Sequence, residues 1–136
     1  MTADTPEIRT VAVERDLPFA PEKIWRALTQ PHLIEEWLMK TDFRPSVGEA
    51  FTFTAQWGAV EGKVLAIEPE RSISYSWNAM GLESVVTWIL TPTAGGTRLR
   101  MEQTGFRPGQ DQAYHGAAAG WPRFFDGLER VLAGLD

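Results

Sequence analysis

The period of the apolar positions changes several times along the chain. Phe51, Phe53, Ala55 and Trp57 alternate with Ala50, Thr52, Thr54 and Gln56, and Ile73, Tyr75 and Trp77 alternate with Ser72, Ser74, Ser76 and Asn78. A period of two predicts half-buried strands. Further strands are expected at 8–17, 60–68, 83–91 and 97–104, parted by turn signals at Pro69-Glu70, Met80-Gly81 and Ala94-Gly95-Gly96. Strands that follow one another through short turns build an antiparallel sheet, one face of which would carry Val86, Trp88 and Leu90 beside Leu99 and Met101.

Two stretches have helical spacing instead. In LPFAPEKIWRALTQPHLIEEW, residues 17–37, Pro21 suits a first helical position, where its missing N–H has no partner to lose, and Glu22 complements the positive helix end. With Ala20 as N-cap, Phe19 and Ile24 occupy the two positions of a hydrophobic staple. Pro31 would cost about 3 kcal/mol inside a continuing helix, so it ends the first helix and begins a second. Ile24, Trp25 and Leu28 form one apolar stripe and Leu33, Ile34, Trp37 and Leu38 the next. Helices of about ten residues are marginal alone, so this pair must pack on something larger. Over 110–135, Trp121, Phe124, Phe125, Leu128, Val131, Leu132 and Leu135 share a stripe. Gly116 to Gly120 add almost no side-chain volume and Pro122 removes a backbone hydrogen bond, so a kink or a late helix start is expected there. The order is strand, two short helices, a five-strand meander and a long C-terminal helix. That is an α+β fold in which a curved antiparallel sheet grips the terminal helix.

Composition limits what such a fold would meet. At 136 residues, 43% of them hydrophobic, the chain is read as one domain over 1–136 with one core and no internal repeat. A net charge of −5 without any Lys/Arg cluster argues against nucleic acid and against anionic membrane surfaces. No apolar run approaches the roughly 20 residues of a membrane span, and the opening MTADTPE is acidic where a signal peptide is basic and then apolar; a soluble, cytoplasmic protein is expected. Cysteine is absent, which removes disulfides, thiolate catalysis and Cys-ligated metal.

Groups that could carry a reaction are few. His32, Glu35 and Glu36 would share a helix face, but a solvated face beside the Leu33/Trp37 stripe accounts for them; Asp111 and His115 read as a surface pair. No GxSxG, Walker loop or GxGxxG occurs, so catalytic residues stay unassigned, and neither a metal nor a cofactor is expected. Six tryptophans are the stronger signal. Trp25 and Phe124 fit helix-to-sheet packing. Trp57, Tyr75, Trp77 and Trp88 come from the sheet and would face the Gly/Ala segment at 116–120, where they either interdigitate as core or line an apolar ligand pocket. Trp37 and, from the terminal helix, Tyr114, Trp121 and Phe125 would complete the lining. Gln103 shares the inward face of Leu99 and Met101, as a ligand anchor or as a satisfied structural amide.

FAPEKIWRALTQPHLIEEW, EPERSISYSW, TWILTPTAGGTRLRMEQTGF and a late GW together resemble the activator-of-heat-shock-protein-ATPase homologue family of the START-like or SRPBCC superfamily. The likeness runs from about residue 8 to 135, four blocks in order. It implies the helix-grip fold and a pocket between sheet and terminal helix for a hydrophobic small molecule. Members of the superfamily include ligand carriers, chaperone activators and polyketide-modifying enzymes, so the resemblance implies no single reaction. The expected partner is a hydrophobic or aromatic small molecule, bound by a monomer or homodimer. The alternatives are a chaperone or another protein as partner, or an enzyme acting on a polyketide-like or lipid-like substrate. The chaperone alternative is weakened by the expectation of one domain, since eukaryotic activators carry a further N-terminal domain for the chaperone.

Overall fold

In the computed structural model, which describes residues 8–135, both proline-started helices form where the chain leaves its first strand. Strand β1 (Arg9–Leu17) leads into α1 (Pro21–Thr29), and Gln30 is at once the C-cap of α1 and the N-cap of α2 (Pro31–Trp37). Its N–H donates to Arg26 O at 2.9 Å, and its carbonyl accepts from the N–H groups of Leu33 and Ile34 at 3.0 and 2.9 Å. One extended residue (φ −93°, ψ 122°) thus satisfies end groups of both helices and turns the chain between them. Trp37 locks the pair, because its Nε1–H donates to Ala27 O at 2.9 Å.

Strands β2 (Lys40–Thr41), β3 (Ala50–Ala55), β4 (Gly58–Glu68), β5 (Ser72–Ala79), β6 (Leu82–Thr93) and β7 (Gly96–Phe106) follow, and then α3 (Asp111–Gly134). They form a seven-stranded antiparallel sheet in the order β1-β7-β6-β5-β4-β3-β2, so that the first strand pairs with the last. The two-residue β2 is too short to show alternation, which is why no periodicity announces it.

The inner face of the curved sheet follows the expected alternation: Phe51 and Phe53, Ile73, Tyr75 and Trp77, Val86, Trp88 and Leu90, Leu99 and Met101 are all buried. Against them α3 places Trp121, Phe125, Leu128 and Leu132. Helices α1 and α2 pack on α3, and a Cβ on Gly127 would lie 3.5 Å from that of Trp37. At the other margin of the sheet, Arg15 of β1 donates to Asp126 at 2.8 Å, to Glu129 at 2.5 Å and to the Pro122 carbonyl at 3.1 Å, tying α3 to what would be an open sheet edge. Helix α3 neither starts late nor breaks at Pro122. The proline leaves the Ala118 carbonyl without an intrahelical donor, and Ala118 is exposed, so water can take that place. No helix among the described residues is long and apolar enough to cross a membrane.

Candidate ligand site

Trp37, Tyr75, Trp77, Trp88, Gln103, Trp121 and Phe125 come together between the sheet and α3, and all are buried. Trp88 lies at the centre. Its ring meets those of Trp37 and Trp121 edge-on at 5.7 Å and that of Phe125 at 5.6 Å, while Trp121 lies 5.3 Å from Trp77. These are favoured aromatic geometries, and the rings pack directly on one another between the sheet and α3.

The polar heads of Trp88, Tyr75, Trp121 and Gln103 are linked to one another or to a neighbour. Trp88 Nε1–H donates to the Tyr75 hydroxyl at 2.9 Å. Trp121 Nε1–H donates to Gln103 Oε1 at 2.7 Å, Gln103 Nε2 donates to Ser84 Oγ at 3.0 Å, and Ser84 Oγ–H donates to the Trp77 carbonyl at 2.7 Å. Ser84 is the member that the sequence reading missed, although it lies on the inward phase of β6 with Leu82, Val86 and Trp88. Burial drives the Tyr75 phenol far above the ordinary value of 10.0, against a smaller opposing effect of the Trp88 hydrogen bond. Because the folded value is the higher, only the unfolded chain loses this proton as pH rises past about 10, so the contribution is intact below that pH and stability falls above it. Urea unfolding at pH 8 to 11 should show this fall, and Tyr75→Phe should flatten it; an unchanged slope in the variant would assign the loss to other groups.

Two expectations about placement are corrected, those for Trp57 and for the Gly/Ala segment. Trp57 does not face the terminal helix from a strand. It stands with Gln56 in the β3–β4 turn and is 55% exposed, because the chain reverses at Gly58 (φ 146°) before the alternation can continue. Tyr114 does turn inward from the terminal helix, half-buried beside Phe106, with its ring 5.6 Å from that ring and the Arg9 guanidinium 4.0 Å above it. The Gly/Ala segment does not oppose the sheet aromatics. The inward phase of α3 runs Tyr114, Ala117, Trp121, Phe125, so Gly116, Ala118 and Ala119 point out, and a Cβ at Gly116 or Gly120 would meet nothing within 4 Å. His32, Glu35 and Glu36 are exposed on α2, and Asp111 is paired with Arg9.

An open feature lies at the start of α3. Trp57, Met80, Leu82, Gly109, Gln112 and Ala113 border a cleft of about 420 Å³. Met80 is 88% exposed at the tip of the β5–β6 hairpin and is held at φ 50°, a conformation that costs a side-chain-bearing residue energy. Leu82 belongs both to this cleft and to the buried core, and the next inward residue on β6 is Ser84. The cleft is therefore one side-chain layer from the Ser84–Gln103–Trp121 chain of hydrogen bonds. Gln110 braces the junction: its Oε1 accepts from Arg107 N–H at 2.8 Å and its Nε2 donates to Gly81 O at 3.4 Å.

Residues 18–133 match the family described as Activator of Hsp90 ATPase homolog 1-like protein. No curated protein matches the chain. Among solved structures, a protein from Mesorhizobium loti is 57% identical over 94% of this chain and 99% of its own, with a TM-score of 0.91. A protein from Rhodobacter sphaeroides is 26% identical over 96% of this chain and 100% of its own, at 0.78. DynU16, a protein of the dynemicin biosynthetic locus, is 25% identical over 91% of this chain but only 47% of its own, at 0.82.

Proposed function

Because the chain belongs to the family of Activator of Hsp90 ATPase homolog 1-like proteins, we propose that it is a binding protein for an apolar, aromatic small molecule, taken up between the sheet and α3. The observation that carries this reading is the cleft at the start of α3. Trp57 and Met80 stand exposed at two hairpin tips around it, and Leu82 separates it from the buried aromatics. Large apolar side chains at paired tips cost solubility and add nothing to the core, whereas they suit the mouth of an apolar site. Between Asp111 and Gly120 the helix above the mouth sends only Tyr114 and Ala117 inward, so this half has little packing to lose if it lifts.

Native mass spectrometry of freshly purified protein should show a retained molecule of a few hundred daltons, and Trp57→Ser with Met80→Ser should lower its occupancy. A partner protein covering the same two tips is the second reading, supported by the family name. Stimulation of a chaperone ATPase that is lost in the same double variant, with no retained molecule, would put that reading first.

A further inference from the structure

Trp121 occupies the interior as a ligand would. Its indole is flat, apolar and 2% exposed, lies against Trp77 and Trp88, and directs one N–H donor to Gln103 Oε1 at 2.7 Å. It sits on the weakest part of α3, between Gly120 and Pro122, where the helix has lost one backbone hydrogen bond and the preceding turns are mostly exposed. We infer that Trp121 is a built-in plug, and that the ligand is a neutral aromatic molecule bearing a hydrogen-bond donor, which displaces the indole and takes its place on Gln103 Oε1. This rests on the binding site proposed above and adds the chemistry of its occupant.

The requirement for a donor follows from the hydrogen-bond chain. Gln103 Nε2 is committed to Ser84 and Ser84 to the Trp77 carbonyl, so the amide is held with its oxygen toward the indole. When the indole leaves, that buried oxygen must accept from the newcomer or go unpaired. The requirement for neutrality follows from what else is buried. The buried polar side chains among the described residues are Thr29, Ser84, Thr97 and Gln103, with Tyr75 the one titratable group inside the cluster; the cation nearest its rings, Arg15 at 5.4 Å from the Phe125 centroid, is already engaged by Asp126 and Glu129 and so is not free to pair a carboxylate or phosphate. Of the cations nearest the mouth, Arg9 is engaged by Asp111 and Arg107 by Glu83.

Three probes of similar shape test this: 2-naphthol, 2-methoxynaphthalene, which lacks the donor, and 2-naphthoate, which is anionic at neutral pH. With binding read by tryptophan quenching, 2-naphthol should bind on the order of tenfold more tightly than either of the others. Trp121→Phe keeps an aromatic ring, though a smaller one, and frees Gln103 Oε1, so it should bind 2-naphthol more tightly than the parent. Equal affinity for 2-naphthol and 2-methoxynaphthalene, or preference for 2-naphthoate, would overturn the inference while leaving the site in place. Unchanged or weaker 2-naphthol binding in Trp121→Phe would also overturn the plug, because the indole would then not be competing. Failure of all three probes to bind the parent protein would instead count against the site itself.

Discussion

Replacing Trp88 with alanine is expected to cost about 4 to 5 kcal/mol, enough to bring a domain of this size close to unfolding. Trp88 is 1% exposed and touches the rings of Trp37, Trp121 and Phe125, which come from α2 and from α3, so its removal opens a void where three layers meet. The Tyr75 hydroxyl would also lose the donor that satisfies it in a dry environment. Urea denaturation measures the loss directly. A cost below about 2 kcal/mol would mean that the surrounding side chains collapse into the gap with little strain. Trp88→Phe should recover part of the packing and none of the hydrogen bond.

The second large effect is expected at Gly62, an inward position of β4 between Val60 and Val64. It pairs across the strands with Phe51, whose ring lies over it: an added Cβ would come within 2.4 Å of Phe51 Cζ and 2.3 Å of the Ser76 carbonyl oxygen. The ring can shift, but the carbonyl belongs to the neighbouring strand and cannot move without breaking the ladder. Gly62→Ala should therefore cost about 3 kcal/mol in thermal or urea unfolding. Phe51→Leu in the same chain should relieve only part of it, and complete relief would show that the strand backbone yields.

These two positions also show what could be read from the sequence. The inward phases of β5, β6 and β7 were plain in the alternation, and both proline-started helices were plain in the spacing of Pro21 and Pro31, because burial on one face imposes a period that local residues must obey. The places where periodicity failed are ends and phases. Trp57 continues the alternation of β3 by one step although the strand has already ended at Ala55, since a turn needs only Gly58 after it. Gly116 and Gly120 looked like space facing the tryptophans, but the phase of α3 is set by Trp121 and Phe125, and it turns both glycines outward. Ser84 was legible and overlooked, because a small polar residue gives a weak signal beside Trp88. The cleft, by contrast, joins the β3–β4 turn, the β5–β6 turn and the start of α3, which no local pattern relates to one another.

The proposed way in and the plug involve different tryptophans, which one experiment can separate. The indole N–H signals of Trp37, Trp57, Trp77, Trp88 and Trp121 can be assigned in isotope-labelled protein and followed by NMR during a titration with 2-naphthol. Binding between the sheet and α3 should move the Trp121 signal most, since its hydrogen bond to Gln103 is exchanged, and should move those of Trp57 and Trp77 with it. The Trp37 signal, fixed on Ala27 O between the two short helices, should change least. Saturable shifts confined to Trp57, with the Trp121 indole unmoved, would place the ligand on the surface and contradict an interior site.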